Sequence, residues 1–359
     1  MNGGILLALA VAPMTFATDP FALSPGFDIA SVAALAESLP SHSWEFDTAS
    51  EALLELYNPN MSVYGQTPLP AESYLPSSVK ALAYAKENIV LSVGANGLSN
   101  GDGAVGDPAS LGVFAWLIGK TNESYAEAFR EEIEYVAELW SDFIYMAPPF
   151  IAYYAADTLN VSLLHESYKQ CGYYREVLQA TNISSESYDG VWMHIIGPQS
   201  QDVGLWSTGN GWAAGGMARE AIDNLTKWIK EIVDGIMGSP TTEGLVRNYV
   251  DDIRGDGHGF GEISGTSMIA SVIYRMAVLQ PESFNQTYIS WADDVRATLS
   301  GNDTEGNPHV TANGTVTPAV NPLGWLDTEP WTAGSPEGQC FVVLMYAAWR
   351  DCVYAGKCE

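Results

Sequence analysis

The most reactive feature of the chain is a carboxylic acid set among aromatic and apolar side chains. Asp142 lies in Leu139–Phe150 with Trp140, Phe143 and Met146 around it. Withdrawing water from a carboxyl group disfavours its ionised form. Asp142 is therefore expected to titrate above the ordinary range and to serve as a general acid near neutral pH. It also opens a helical pattern, so an N-cap role accounts for it at least as well. Asp107 precedes Pro108 at the end of the Gly-rich stretch Ser92–Gly106. It reads with equal weight as a helix N-cap or as a substrate-facing carboxylate. His194 sits in the run Val191–Gly197, where a lone histidine is more often a hydrogen-bonded core residue than a catalyst. Trp206 and Trp212 bracket Ser207–Gly211; such rings suit stacking on sugar faces, or else they fix a tight turn in the core.

Other chemistries find less support. The Gly-rich stretch has no Lys after its glycines, so it is not a phosphate cradle, and its acids lack the alternation of a calcium loop. Asp251, Asp252, Asp256 and His258 could hold a metal, but Arg254 stands among them and their spacing matches no common site. Neither a Gly-x-Ser-x-Gly elbow nor a His-Glu-x-x-His motif occurs. No metal or cofactor is expected.

The elements that must position these residues are helical. Apolar spacing predicts helices over Thr48–Leu56, Ser77–Asn88, Pro108–Ile118, Ser124–Leu139, Phe143–Thr158, Val161–Ala180, Trp212–Ala221, Leu225–Met237, Thr242–Ile253, Ser264–Leu279, Phe284–Leu299 and Glu337–Tyr354. Strand-like runs are scarce and no linker divides the chain. A dozen helices in one undivided stretch, without a fixed sequence period, point to an all-α (α/α)6 barrel, a toroid of six helical hairpins in a single domain.

The 359 residues are 47% hydrophobic and 16% charged, enough apolar material for a large core. Lys and Arg number 15 against 43 Asp and Glu, a formal net charge of −28. Such a surface repels phosphate backbones and anionic lipid, which argues against nucleic-acid and membrane partners. Eight Asn-x-Ser/Thr sequons, at Asn60, Asn122, Asn160, Asn182, Asn224, Asn285, Asn302 and Asn313, exceed the about two or three expected by chance. They predict N-glycans and a secreted, extracellular protein of eukaryotic, fungal-like type. The apolar run Ile5–Ala12 reads as the core of a signal peptide, though no basic residue precedes it, so residues 1–20 are taken as its remnant and 21–359 as the catalytic barrel. Cys171, Cys340, Cys352 and Cys358 are expected to be disulfide-bonded, with Cys352–Cys358 the nearest pair in sequence. A monomer is expected.

Together these segments resemble the unsaturated uronyl hydrolases, most closely the unsaturated rhamnogalacturonyl hydrolases (glycoside hydrolase family 105), six-hairpin (α/α)6 barrels. The family's W-x-D-x-x-x-M-x-x-P-F segment matches Trp140, Asp142, Met146, Pro149 and Phe150. Its apolar-x-His segment matches Trp192–His194, and W-x-R-G-N-G-W matches Trp206, Gly209, Asn210, Gly211 and Trp212. Weaker echoes are Ser43–Phe46 and Glu262–Ser267. The resemblance implies a hydrolase that removes a terminal C4–C5-unsaturated uronic acid from lyase-generated plant oligosaccharides, such as those of pectin, by hydrating the double bond. Asp142 would be the acid and then the base, and Asp107 would raise its pKa by like charge. His194, Trp44, Trp140, Trp206, Thr208, Asn210 and Trp212 would bind substrate. Thr208 stands where the family has an arginine, which brings the linkage or the uronate preference into question. The alternatives are a barrel with another glycosidase or lyase specificity, or a carbohydrate-binding barrel without catalysis.

Overall fold

The computed structural model describes residues 19–66, 68–69, 71–91, 97–99, 104, 106–126, 139–180, 188–197, 200–220, 223–252 and 257–359. Helices α1 (Ile29–Ser38), α2 (Ser43–Tyr57), α3 (Lys80–Asn88), α4 (Asp107–Ser110), α5 (Gly112–Gly119), α6 (Phe143–Met146), α7 (Pro148–Asp157), α8 (Val161–Leu178), α9 (Ser207–Glu220), α10 (Asp223–Met237), α11 (Ile263–Leu279), α12 (Gln286–Leu299) and α13 (Pro336–Tyr354) follow one another. None of them is long and apolar enough to cross a membrane.

Differences from the periodicity have local causes. Helix α1 was not expected; Asp28 caps it by accepting from the amides of Ala30 and Ser31. The single helix expected over Phe143–Thr158 is two, because Pro148 and Pro149 have no N–H to continue the ladder and instead start α7. The stretch expected to form a helix over Thr242–Ile253 begins with a hairpin. Strands Thr241–Thr242 and Leu245–Val246 pair across Glu243 (φ 55°) and Gly244 (φ 82°), two positive angles that suit a two-residue turn. The helix expected over Ser124–Leu139 lies mostly outside the described residues.

The helices form two concentric rings. Each inner segment touches the next and the last returns to the first: α13 on α2, α2 on α4, α4 and α5 on α6 and α7, α6 on α9, α9 on α11, and α11 on α13. These segments are buried along most of their length, as a helix packed on all sides must be. Outside them α1 packs on α13 and α2, α3 on α2 and α5, α8 on α7, α10 on α9 and α12 on α11.

At one end, ion pairs fill the inner ring. Arg219 on α9 pairs with Glu51 at 3.2 Å and Glu55 at 2.8 Å on α2, and donates to the Tyr145 hydroxyl at 2.7 Å. Arg275 on α11 pairs at 2.7 Å with both Glu55 and Asp351, and Arg350 pairs with Asp351 at 2.9 Å. The Tyr64 ring lies against the guanidinium of Arg275. Burial pushes Glu51 up to about 6 against the pull of Arg219, and pushes Asp47 well above the ordinary range. A Cys352–Cys358 disulfide ties down the C-terminus. Cys171 on α8 and Cys340 on α13, expected to be bridged, are buried free thiols on separate helices.

Candidate active site

At the other end the six inner segments begin, and the sequence-predicted residues collect there. Trp44 lies in the first turn of α2, Asp107 is the first residue of α4, and Asp142 stands immediately before α6. Trp206 precedes α9, and Glu337 is the second residue of α13. Together with Trp140, His194, Trp212 and Trp325 they line one open cleft of about 650 Å³. Asp107 is not the cap of α4; Gly106 is, and Asp107 accepts from the Ala104 amide at 2.6 Å. Asp142 does occupy the cap position of α6, but its side chain makes no capping hydrogen bond.

His194 is held by its neighbours on every side. Short bridges pair Ile195 with both Trp140 and Asp202, bringing three stretches of chain side by side. The ring is 1% exposed and lies against Trp206, centroids 4.4 Å apart, with the edges of Trp140 and Trp325 at 5.6 and 5.4 Å. Gly209 permits this packing: a Cβ there would lie 2.4 Å from Ser141 Oγ and 3.6 Å from the imidazole. Nδ1 is 2.9 Å from Asp202, which also accepts from the Tyr249 hydroxyl and the Gly204 amide. Burial disfavours the Asp202 carboxylate, but the hydrogen bonds from His194, Tyr249 and Gly204 outweigh it and hold the group below its ordinary range. A carboxylate only accepts, so Nδ1 carries the hydrogen, and in the neutral ring Nε2 keeps its lone pair. Nε2 has no hydrogen-bond partner and faces Asp142 Oδ1 at 3.9 Å. That gap is too long for a hydrogen bond and suits one bridging water or substrate hydroxyl.

Asp202→Asn is expected to reverse this polarity. An amide NH₂ turned toward Nδ1 makes it an acceptor and moves the hydrogen to Nε2. Nitrogen chemical shifts of the ring should report Nδ1–H in the wild type and Nε2–H in the variant. The same tautomer in both would disprove the assignment.

No family model matches the chain, and no curated protein does. Solved structures do. A glycoside hydrolase of family 105 from C. acetobutylicum ATCC 824 has 15% identity and a TM-score of 0.63, over 89% of this chain and 98% of that one. An unsaturated glucuronyl hydrolase from Bacillus sp. GL1 has 13% identity and a TM-score of 0.58, over 88% and 94%. The GH76A α-1,6-mannanase from Salegentibacter sp. HEL1_6 has 12% identity and a TM-score of 0.56, over 90% and 98%. The fold is the six-hairpin (α/α)6 barrel.

Within this barrel, two expected substrate-binding residues are absent from the cleft lining. Thr208 is fully buried and donates to Glu262 at 3.2 Å. Asn210, also fully buried, clasps the backbone of Trp192 in both directions and the Trp206 carbonyl. Glu262 caps α11 through the Ser264 and Gly265 amides and ties it to Ser207 at the start of α9. Arg247 donates to the Thr242 hydroxyl and the Asp252 carbonyl. Arg254 lies outside the described residues. Among the described lining residues there is no Lys or Arg.

Three further residues complete the site. Trp325 packs on Trp140 and His194. Asn248 accepts from the Trp206 indole at 2.9 Å and holds the Trp325 carbonyl. Glu337, 2% exposed, accepts from the Trp44 indole at 3.0 Å. Of the three, only Glu337 enters the sequence reading, as the first residue of the helix expected over Glu337–Tyr354.

Proposed function

We propose that the chain is a secreted glycoside hydrolase that removes a terminal C4–C5-unsaturated uronic acid from oligosaccharides released by polysaccharide lyases. The observation that carries this reading is the meeting of Asp142, Asp107 and His194 in one tryptophan-walled cleft at the starts of the inner helices. The fold neighbours support it: one is an unsaturated glucuronyl hydrolase responsible for the degradation of glycosaminoglycan. The positive ends of the longer helices α2, α9 and α13 also point toward the cleft, a field that favours an anion where the described lining has no lysine or arginine.

In this scheme protonated Asp142 gives its hydrogen to C4 and the C4–C5 π pair forms the new C–H bond. The positive charge is shared between C5 and the ring oxygen. A water placed by His194 adds to C5 and returns a proton to Asp142. The hemiketal then opens and the next sugar leaves as an alcohol. One carboxyl group acts as acid and then base, unlike the two-carboxylate arrangement of most glycosidases. Asp107 lines the same cleft, and in this scheme its negative charge favours the protonated form. Secretion and N-glycosylation belong to the same reading: of the seven described sequon asparagines, all but Asn122 are exposed.

The double bond conjugated with its carboxylate absorbs in the ultraviolet, and hydration destroys that band. Incubation with lyase-generated oligosaccharides from several polysaccharides should bleach it for at least one. No bleaching with any of them would refute the reading. The absence of Lys and Arg among the described lining residues favours a second reading, a glycosidase for a neutral sugar, and one fold neighbour is an α-1,6-mannanase. Release of reducing ends from a saturated neutral oligosaccharide would mark that outcome.

A further inference from the structure

An anionic sugar in this cleft meets an obstacle in electrostatics. Its described lining offers Asp107, Asp142 and Glu337, with His194 as the one basic side chain. With Asp142 protonated as the general acid, two carboxylates would still repel the substrate's own unless a second of the three is also present as an acid. Glu337 is the member whose surroundings fit that state. It is 2% exposed, and its Oε1 accepts from the Trp44 indole on α2 at 3.0 Å. Oε2 is buried and has no partner in the protein.

We propose that Glu337 is a substrate-contacting residue, its Oε2 hydroxyl donating a hydrogen bond to the carboxylate of a uronic acid in the cleft. A carboxylic acid offers one donor to an anion without adding charge, so it can do part of what an arginine does where the chain has Thr208. The inference rests on the uronyl reading given above.

The groups facing Glu337 are of one sign. Burial contributes most to keeping its proton, followed by Glu45 on α2; Asp142 before α6 and Glu262 at the start of α11 add to it, and only the Trp44 hydrogen bond opposes. On its own helix the nearby titratable group is the neutral Cys340 thiol, and across the cleft stand Asp107 and His194. The donor is present at low pH and is lost as pH rises through the raised pKa, when a new negative charge replaces it.

The test is the pH dependence of KM for a lyase-generated unsaturated digalacturonate. As pH rises from the acid side through the raised folded value of Glu337, the wild-type KM should climb roughly tenfold or more, the scale of one hydrogen bond to a charged group. Glu337→Gln keeps a neutral donor at every pH, so its KM should stay level over that range. Glu337→Ala should show a KM raised roughly tenfold already at the acid end, with a smaller change in kcat. A Glu337→Gln profile that tracks the wild type, or a wild-type KM in Glu337→Ala, would overturn the proposal. If the wild type leaves the probe untouched, the uronyl reading has failed instead. Glu337 is then decided by infrared difference spectra of wild type minus Glu337→Gln at the acid end of the same pH range. A protonated-carboxyl band that shifts when the probe is added supports the contact; no such band, or a band that the probe leaves unmoved, sinks it.

Discussion

Asp142→Asn is expected to lower kcat on an unsaturated uronyl oligosaccharide by about 10³-fold or more while leaving the fold unchanged. Positioned proton transfer contributes roughly 10² to 10⁴ in rate, and this residue is asked to give a proton and to take one back. An amide can do neither. The loss should therefore fall on kcat and kcat/KM together, with binding retained, because Asn has the same shape and can still meet His194 through a water. The Asp142 side chain makes no capping hydrogen bond to α6 and Asn fills the same space, so the melting temperature should move by no more than about 2 °C. A variant with wild-type turnover excludes Asp142 as the acid. A variant that melts far lower shows that the side chain supports the start of α6 instead.

The second large effect is structural. Arg219→Met should destabilise the protein by about 3 to 5 kcal/mol, because it leaves Glu51 without its guanidinium and removes one of the two that serve Glu55, inside the ring. The remaining partner, Arg275, already serves both Glu55 and Asp351. The sign with pH is fixed. Arg219 is what draws Glu51 down toward 6, so its loss raises that group further, and the deficit should be larger at pH 8 than at pH 5. Adding Glu51→Gln to the variant should recover part of the loss, since the orphaned charge then disappears. Thermal melts of the three proteins at both pH values provide the check. A single variant within about 2 °C of wild type would show that the pair is neutral in balance.

The ring was legible in sequence because about a dozen helical patterns follow one another with no linker to divide them and no fixed repeat to stack them, and each pattern is a property of a single segment. The W-x-D and G-N-G-W segments likewise led to residues that meet in space. What periodicity does not carry is which side of a fully buried helix faces a cleft. Thr208 and Asn210 sit between two cleft-lining tryptophans, yet both look inward to Glu262 and Trp192. Glu337 was hidden by its neighbours: Ser335 and Pro336 announce a helix start so plainly that an acid in the first turn needs no other explanation. Asp202 escaped because its link to His194 runs through a bridge between Ile195 and Asp202 that no local pattern announces. Trp325 follows a long irregular stretch without period, where a ring gives no hint of its partners.

The acids inside the ring also bear on the charge of the whole molecule. Glu51 at about 6, Glu220 at about 7, and Asp47, Glu262 and Glu337 above their ordinary ranges all bind protons more tightly folded than unfolded. Folding in neutral solution is thus a proton-capturing reaction. The stability these groups supply is whole below about pH 4.5 and drains away as pH climbs through their folded values. A count of −28 treats every carboxyl group as ionised. The folded molecule carries less, and the shortfall is concentrated in its interior, some of it in the wall of the cleft that an anion must enter.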